Sequence, residues 1–159
     1  MAEAFRGASV TGSGVVYIVP RAYILRLELL TFTLTTDATA GVHKARVVFT
    51  DTALAAVTAR LRDLNEGGPS MTLNYTYGIG LAASACVAVS GWDMTDALPD
   101  TVLAPQTTIT LTAVNDAGTT IAGDVFSGVV LYGDLITEIG GDGSEAAGTL
   151  LPGFLPGDV

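Results

Sequence analysis

Apolar and polar residues alternate with a period of two along most of this chain. Residues 70–77 place Met71, Leu73, Tyr75 and Tyr77 on one face and Ser70, Thr72, Asn74 and Thr76 on the other. That is the pattern of a strand with one buried face. Residues 106–115 repeat it, with Ile109, Leu111 and Ala113 opposed to Thr108, Thr110 and Thr112. Residues 24–36 predict the longest strand. Leu25, Leu27 and Leu29 keep one phase, and Leu30, Phe32 and Leu34 keep the other. A slip of one residue at Leu29-Leu30 is the mark of a β-bulge, which flips the alternation by inserting an extra residue. Further strands are predicted over 14–19, 43–50, 84–90 and 124–132.

Turn signals separate these runs: Asp37-Ala38-Thr39-Ala40-Gly41, Asp51-Thr52, Glu66-Gly67-Gly68-Pro69, Leu98-Pro99-Asp100 and Asn115-Asp116-Ala117-Gly118. Short, regularly spaced strands predict an all-β fold, an antiparallel β-sandwich or jelly roll of about eight strands. Residues 53–64 fit two periods. Leu54, Val57, Leu61 and Leu64 make a helical stripe, whereas Val57, Ala59 and Leu61 alternate with Thr58, Arg60 and Arg62. After Asp51-Thr52 the preferred reading is a hairpin partner of 43–50. No repeat is found.

The ends lack this periodicity. Residues 1–12 read as an extended N-terminal arm, 13–139 as the sandwich domain, and 140–159 as a Gly/Pro-rich acidic C-terminal arm. In that last segment Gly-rich sequence leads to Leu150, Leu151, Phe154 and Leu155, spaced by Pro152 and Pro156. The prolines exclude a regular helix or central strand. The segment reads either as a frayed tail or as an arm docking its Leu and Phe side chains on a neighbouring subunit. Exposed apolar clusters of this kind favour association.

Composition sharpens the picture. The chain has 159 residues, 49% hydrophobic and only 14% charged, which excludes disorder and leaves a surface suited to subunit contacts. No apolar run reaches the roughly 18 residues a membrane helix needs. The N-terminus shows no signal-peptide pattern. Synthesis in a cytoplasm and no membrane partner are therefore expected. Net charge is −9, which argues against nucleic acid as a partner. All seven basic residues fall within the first 62 positions, giving that part +3, while the remainder carries twelve acids and no base. Such halves can pair within a fold or between subunits.

Candidate chemistry is sparse. Cys86, the lone cysteine, permits no intramolecular disulfide and reads as a small buried residue. His43, the lone histidine, reads as a surface or loop-edge residue. There is no dinucleotide fingerprint and no phosphate-binding loop, and Gly78-Ile79-Gly80 reads as a strand end. Asp93, Asp96 and Asp100 could suggest calcium or glycosidase carboxylates, but the EF-hand pattern is missing and aromatic content is 7%. A solvated loop is the preferred reading. No catalytic residue, cofactor or metal is expected. Trp92 reads as a core or interface anchor, with sugar stacking as the other possibility. Candidate interface residues are thus Trp92, Leu150, Leu151, Phe154 and Leu155.

Several stretches resemble, in their order, small virion structural proteins of tailed bacteriophages. A Pro-x-x-Tyr lead-in, Pro20-Arg21-Ala22-Tyr23, precedes a long strand through Leu30-Thr31-Phe32-Thr33-Leu34. A turn and a strand of the Arg-Val-Val kind follow, Ala45-Arg46-Val47-Val48-Phe49. Leu98-Pro99 to Leu103-Ala104-Pro105 and Ala122-Gly123-Asp124-Val125-Phe126 continue the pattern over about residues 14–138. The chain departs by carrying Ala104-Pro105-Gln106 where the pattern often has Pro-Gly, and by its long acidic tail. The resemblance implies a non-enzymatic β-sandwich, foremost a capsid decoration or cement protein on the outer surface of the virion. It would be a homo-oligomer, a trimer first, contacting the major capsid protein or other virion proteins. A tail or neck component, or a carbohydrate-binding adhesion module, are the alternatives.

Overall fold

The alternation along the chain becomes strands whose apolar faces meet. In the computed structural model, residues 1–84, 89–91 and 93–137 are described. They form β1 (Glu3–Arg6), β2 (Val10–Thr11), β3 (Ser13–Ile18), β4 (Tyr23–Thr35), β5 (His43–Asp51) and β6 (Ala56–Arg60), then β7 (Leu64–Gly67), β8 (Thr72–Gly78), β9 (Asp93–Ala97), β10 (Val102–Leu103), β11 (Thr108–Val114) and β12 (Val125–Thr137). One sheet runs β1-β12-β4-β8-β9, with β10 on β4 and β2 on β12. The other runs β3-β11-β5-β6, with β7 also on β5. The two pack as an all-β sandwich.

Between the sheets lies a single core. Leu25, Leu27, Leu30, Phe32 and Leu34 of β4 and Phe126 and Leu131 of β12 meet Val47 and Phe49 of β5 and Ile109 and Leu111 of β11. Phe32 sits at its centre. It stacks on Tyr75 at 5.1 Å between centroids and meets Phe126 edge-on at 5.6 Å, both favoured geometries for aromatic pairs. Tyr75 and Tyr77 are buried, as their alternation predicts. The β5–β6 hairpin forms, with Val48 opposite Arg60. The β4 phase slip is a bulge in which Tyr132 and Gly133 face Leu29 and Leu27, leaving Glu28 unmatched. It lies one residue before the expected position.

Three expectations change. Twelve strands form among the described residues rather than about eight, because several are short flanking pieces. The seven-stranded sheet is not wholly antiparallel: β8 and β9 pair in parallel. The 79–92 connection between them has about the dozen residues such a crossover needs. Finally, residues 1–12 are not an extended arm. β1 pairs with β12 from Glu3–Gly133 to Arg6–Val130, β2 pairs with Val125 and Phe126, and Phe5 packs on the core. The segment completes the seven-stranded sheet. Of the strand expected over 84–90, residues 85–88 lie outside the described residues.

The topology sorts the loops into two ends. At one, the β4–β5 and β11–β12 connections cross between sheets side by side. At the other lie the β3–β4, β5–β6 and β10–β11 connections and the end of β12.

Candidate functional site

At the first end the chain buries its only histidine. In β5, His43 shares the inward phase of Ala45, Val47 and Phe49, so strand geometry sends its ring into the sandwich, where it has no exposed surface. The loop-edge reading of His43 is therefore corrected. The alternation of 43–50 already carried this signal. What burial then requires is partners for both ring nitrogens. Nδ1 lies 2.8 Å from Asp124 Oδ2, and Nε2 lies 2.8 Å from the Thr39 carbonyl. Asp124 is itself fully buried, and its Oδ1 accepts the Asp37 amide at 2.9 Å. Asp37 Oδ1 accepts the Thr39 amide. Gly123 leaves room beside them, since a Cβ there would collide with Asp37 Oδ2 and force that carboxylate to move.

The protonation state follows from the acceptors. A carbonyl only accepts, so Nε2 carries a proton, and the carboxylate at Nδ1 calls for a second one. Burial opposes charging the ring, but the bonds to Asp124 and Thr39 and the charges of Asp124 and Asp37 outweigh it, holding the His43 pKa above its usual 6.5. The Asp37 carboxyl is held below its usual range, chiefly by the Thr39 amide. His43, Asp37 and Asp124 each offer one atom to a common point, all within 4.8 Å of one another. Yet both ring nitrogens already face acceptors, so a cation would have to displace a ring proton and its hydrogen bond. Nor is a hydroxyl nucleophile placed on Nε2, where a catalytic triad needs one. The cluster is a closed fastener joining the two crossovers.

The opposite end carries an open pocket of about 380 Å³. Ala22, Ala53, Ala104 and Pro105 supply apolar wall, and Arg21, Asp51 and Gln106 supply polar groups. Two of these residues hold left-handed backbone: Ala22 at φ 71° and Gln106 at φ 65°. Each occupies the third position of a tight turn, closed by Tyr23 N–H to the Pro20 carbonyl and Thr107 N–H to the Ala104 carbonyl. Such backbone costs a non-glycine residue of order 1–3 kcal/mol. Asp51 Oδ1 is committed to the Ala53 and Leu54 amides. Arg21 makes no ion pair among the described residues. The pocket opens beside uncovered apolar surface. Ile18 and Val57 flank Thr108 and Thr50 in one cross-strand row on the outer face of the five-stranded sheet, 54% and 63% exposed, and Leu54 in the adjoining turn is 72% exposed.

The carboxylates singled out in the sequence do not converge. Asp93 accepts from Asn74 Nδ2, Asp96 pairs with Arg62, and Asp100 pairs with Arg26. Gly78 ends β8 as expected. Trp92, Leu150, Leu151, Phe154 and Leu155, like Cys86, lie outside the described residues. Sequence reasoning missed Asp37, Asp124 and the pocket. The departure from Pro-Gly at Gln106 was the one visible hint of the pocket, since glycine is the unstrained occupant of positive φ. Comparison with known proteins finds no matching family model, no matching curated protein and no matching solved structure.

Proposed function

We propose that this chain is a non-enzymatic structural subunit of a tailed-phage virion, a decoration or cement protein of the capsid surface that works through contacts with copies of itself and with the major capsid protein. The observation that carries the proposal is the uncovered apolar end surface: Ile18, Leu54 and Val57 beside the alanine- and proline-walled pocket. Exposed apolar side chains gathered at one end of a sandwich are what association buries. The polar groups support the same reading, because the buried histidine and its carboxylate partner are spent on fastening loops. The mechanism is mechanical: a rigid sandwich seated on a shell, with many repeated weak contacts adding through avidity.

The test is whether the protein is a component of the particle. An antibody against the folded chain should label intact virions from the culture that supplies the gene, at repeated positions on the head. Mass spectrometry of the same gradient-purified virions should find the chain in many copies. Label confined to the tail or neck would move the role there. Absence from purified particles would remove the virion reading, and binding of glycans would then favour an adhesion module.

A further inference from the structure

We infer that the pocket between the β3–β4, β5–β6 and β10–β11 turns is the receptor for residues 150–158 of a second copy of this chain. The inference deepens the structural reading above and rests on it for its assembled state.

Four features select this occupant. The first is where the described chain stops. Thr137, the last residue of β12, pairs with Tyr23, one residue from Ala22 and two from Arg21 in the pocket wall. Residues 138–159 therefore depart from the pocket's own end of the sandwich. In an assembly that brings these ends together, each copy delivers its C-terminal segment to its neighbour's pocket.

The second is reach. Residues 138–149 separate Thr137 from Leu150. At about 3.3 Å per residue, a stretch of that length can span at most roughly 40 Å. That reach covers a neighbour's pocket as well as the adjacent one, and the second copy follows from the assembled state proposed above.

The third is shape and polarity. The segment offers Leu150, Leu151, Phe154 and Leu155 between prolines. A volume of about 380 Å³ with apolar walls accommodates one or two such side chains. The exposed Leu54, Val57 and Ile18 alongside offer surface for the rest.

The fourth is charge. Residues 138–159 contain Glu138, Asp142, Glu145 and Asp158 and no base. Arg21 at the pocket is the complementary charge without an ion pair among the described residues. Asp51, the acid in the wall, is nearly buried and turned to the Ala53 and Leu54 amides.

Disulfide trapping on the full chain tests the inference. In a Cys86→Ser background, Ala53→Cys chains carrying one tag are mixed with Leu155→Cys chains carrying another, then mildly oxidised. The expected product is a mixed-tag disulfide dimer of twice the 16.2 kDa chain mass. Its yield should fall several-fold when Arg21→Glu is added to the Ala53→Cys chain, whose fold is checked by its melting curve. Tyr132→Cys, on the outer face of the other sheet and 42% exposed, is the control partner. Trapping of Leu155→Cys equally or better by Tyr132→Cys overturns the inference. So does a disulfide formed only within one chain in the Ala53→Cys/Leu155→Cys double variant, or an oligomer by light scattering that yields no Ala53–Leu155 product. A full-length chain that stays monomeric at all concentrations also overturns it. That outcome leaves particle labelling to decide the virion role separately.

Discussion

His43 shows how one residue's chemistry is set by where its strand points. The same imidazole at a loop edge would titrate near 6.5; enclosed between Asp124 and the Thr39 carbonyl it is held protonated to higher pH. Its folded pKa lies above its unfolded one. The stabilisation it gives is therefore complete below about pH 6.5 and is lost as pH rises through the raised folded value. Thermal melts of the wild type should show this loss on the alkaline side, and His43→Gln should flatten it. His43→Ala leaves the Asp124 carboxylate buried without its cation, and is expected to cost about 3–5 kcal/mol by urea unfolding. An unchanged midpoint would show that the pair does not fasten the crossovers. This residue's inward phase was legible beside Ala45, Val47 and Phe49. Its partners were not, because Asp124 lies 81 positions away.

At the level of elements, strand patterns were legible where one face meets the core and illegible where pairing itself makes the strand. β8 and β11 show clean alternation, and both bury the predicted residues they contain, while Met71, just before β8, is half-buried. The β4 slip announced a bulge to within one residue, because burying leucines on both sides of an inserted residue forces the phase to change. β1, by contrast, has no periodicity to read over four residues. It exists because β12 offers an edge and Phe5 a contact with the core. Removing residues 1–12 should therefore destabilise the domain and expose the β12 edge to aggregation. Phe5→Ala alone should cost about 1–3 kcal/mol, lowering the melting midpoint by roughly 3–10 °C. A free arm would tolerate both changes with no shift.

Across the whole molecule, the opposed charges of the two parts of the chain meet inside one fold. Arg26 reaches Asp100, Lys44 reaches Asp116, Arg46 and Arg60 share Asp63, and Arg62 reaches Asp96. In each of these pairs the acid comes from the basic-free portion of the sequence. Most of them keep one partner well exposed, so solvent screening leaves each of them weak. Raising NaCl from about 0.05 to 1 M, where the screening length falls to about 3 Å, should move the melting midpoint by only a few degrees. A drop beyond about 10 °C would mean that these pairs, rather than the core around Phe32, hold the sheets together. The core itself stabilises the fold more than the ion pairs do, since each fully buried large side chain contributes about 1.5–3 kcal/mol.

The sequence by itself determined the all-β class, the strands with one buried face and the core residues those strands carry, and it left residues 53–64 open between a helix and the hairpin that forms after Asp51. Those follow from short-range periodicity, which any correct fold must satisfy. Only the tertiary structure decided the parallel β8–β9 pair, the sheet membership of residues 1–12, the His43–Asp124 fastener and the pocket beside Arg21. Each of these brings together groups far apart in the chain. Local pattern encodes which face a side chain takes, whereas the sheet order decides what it meets there.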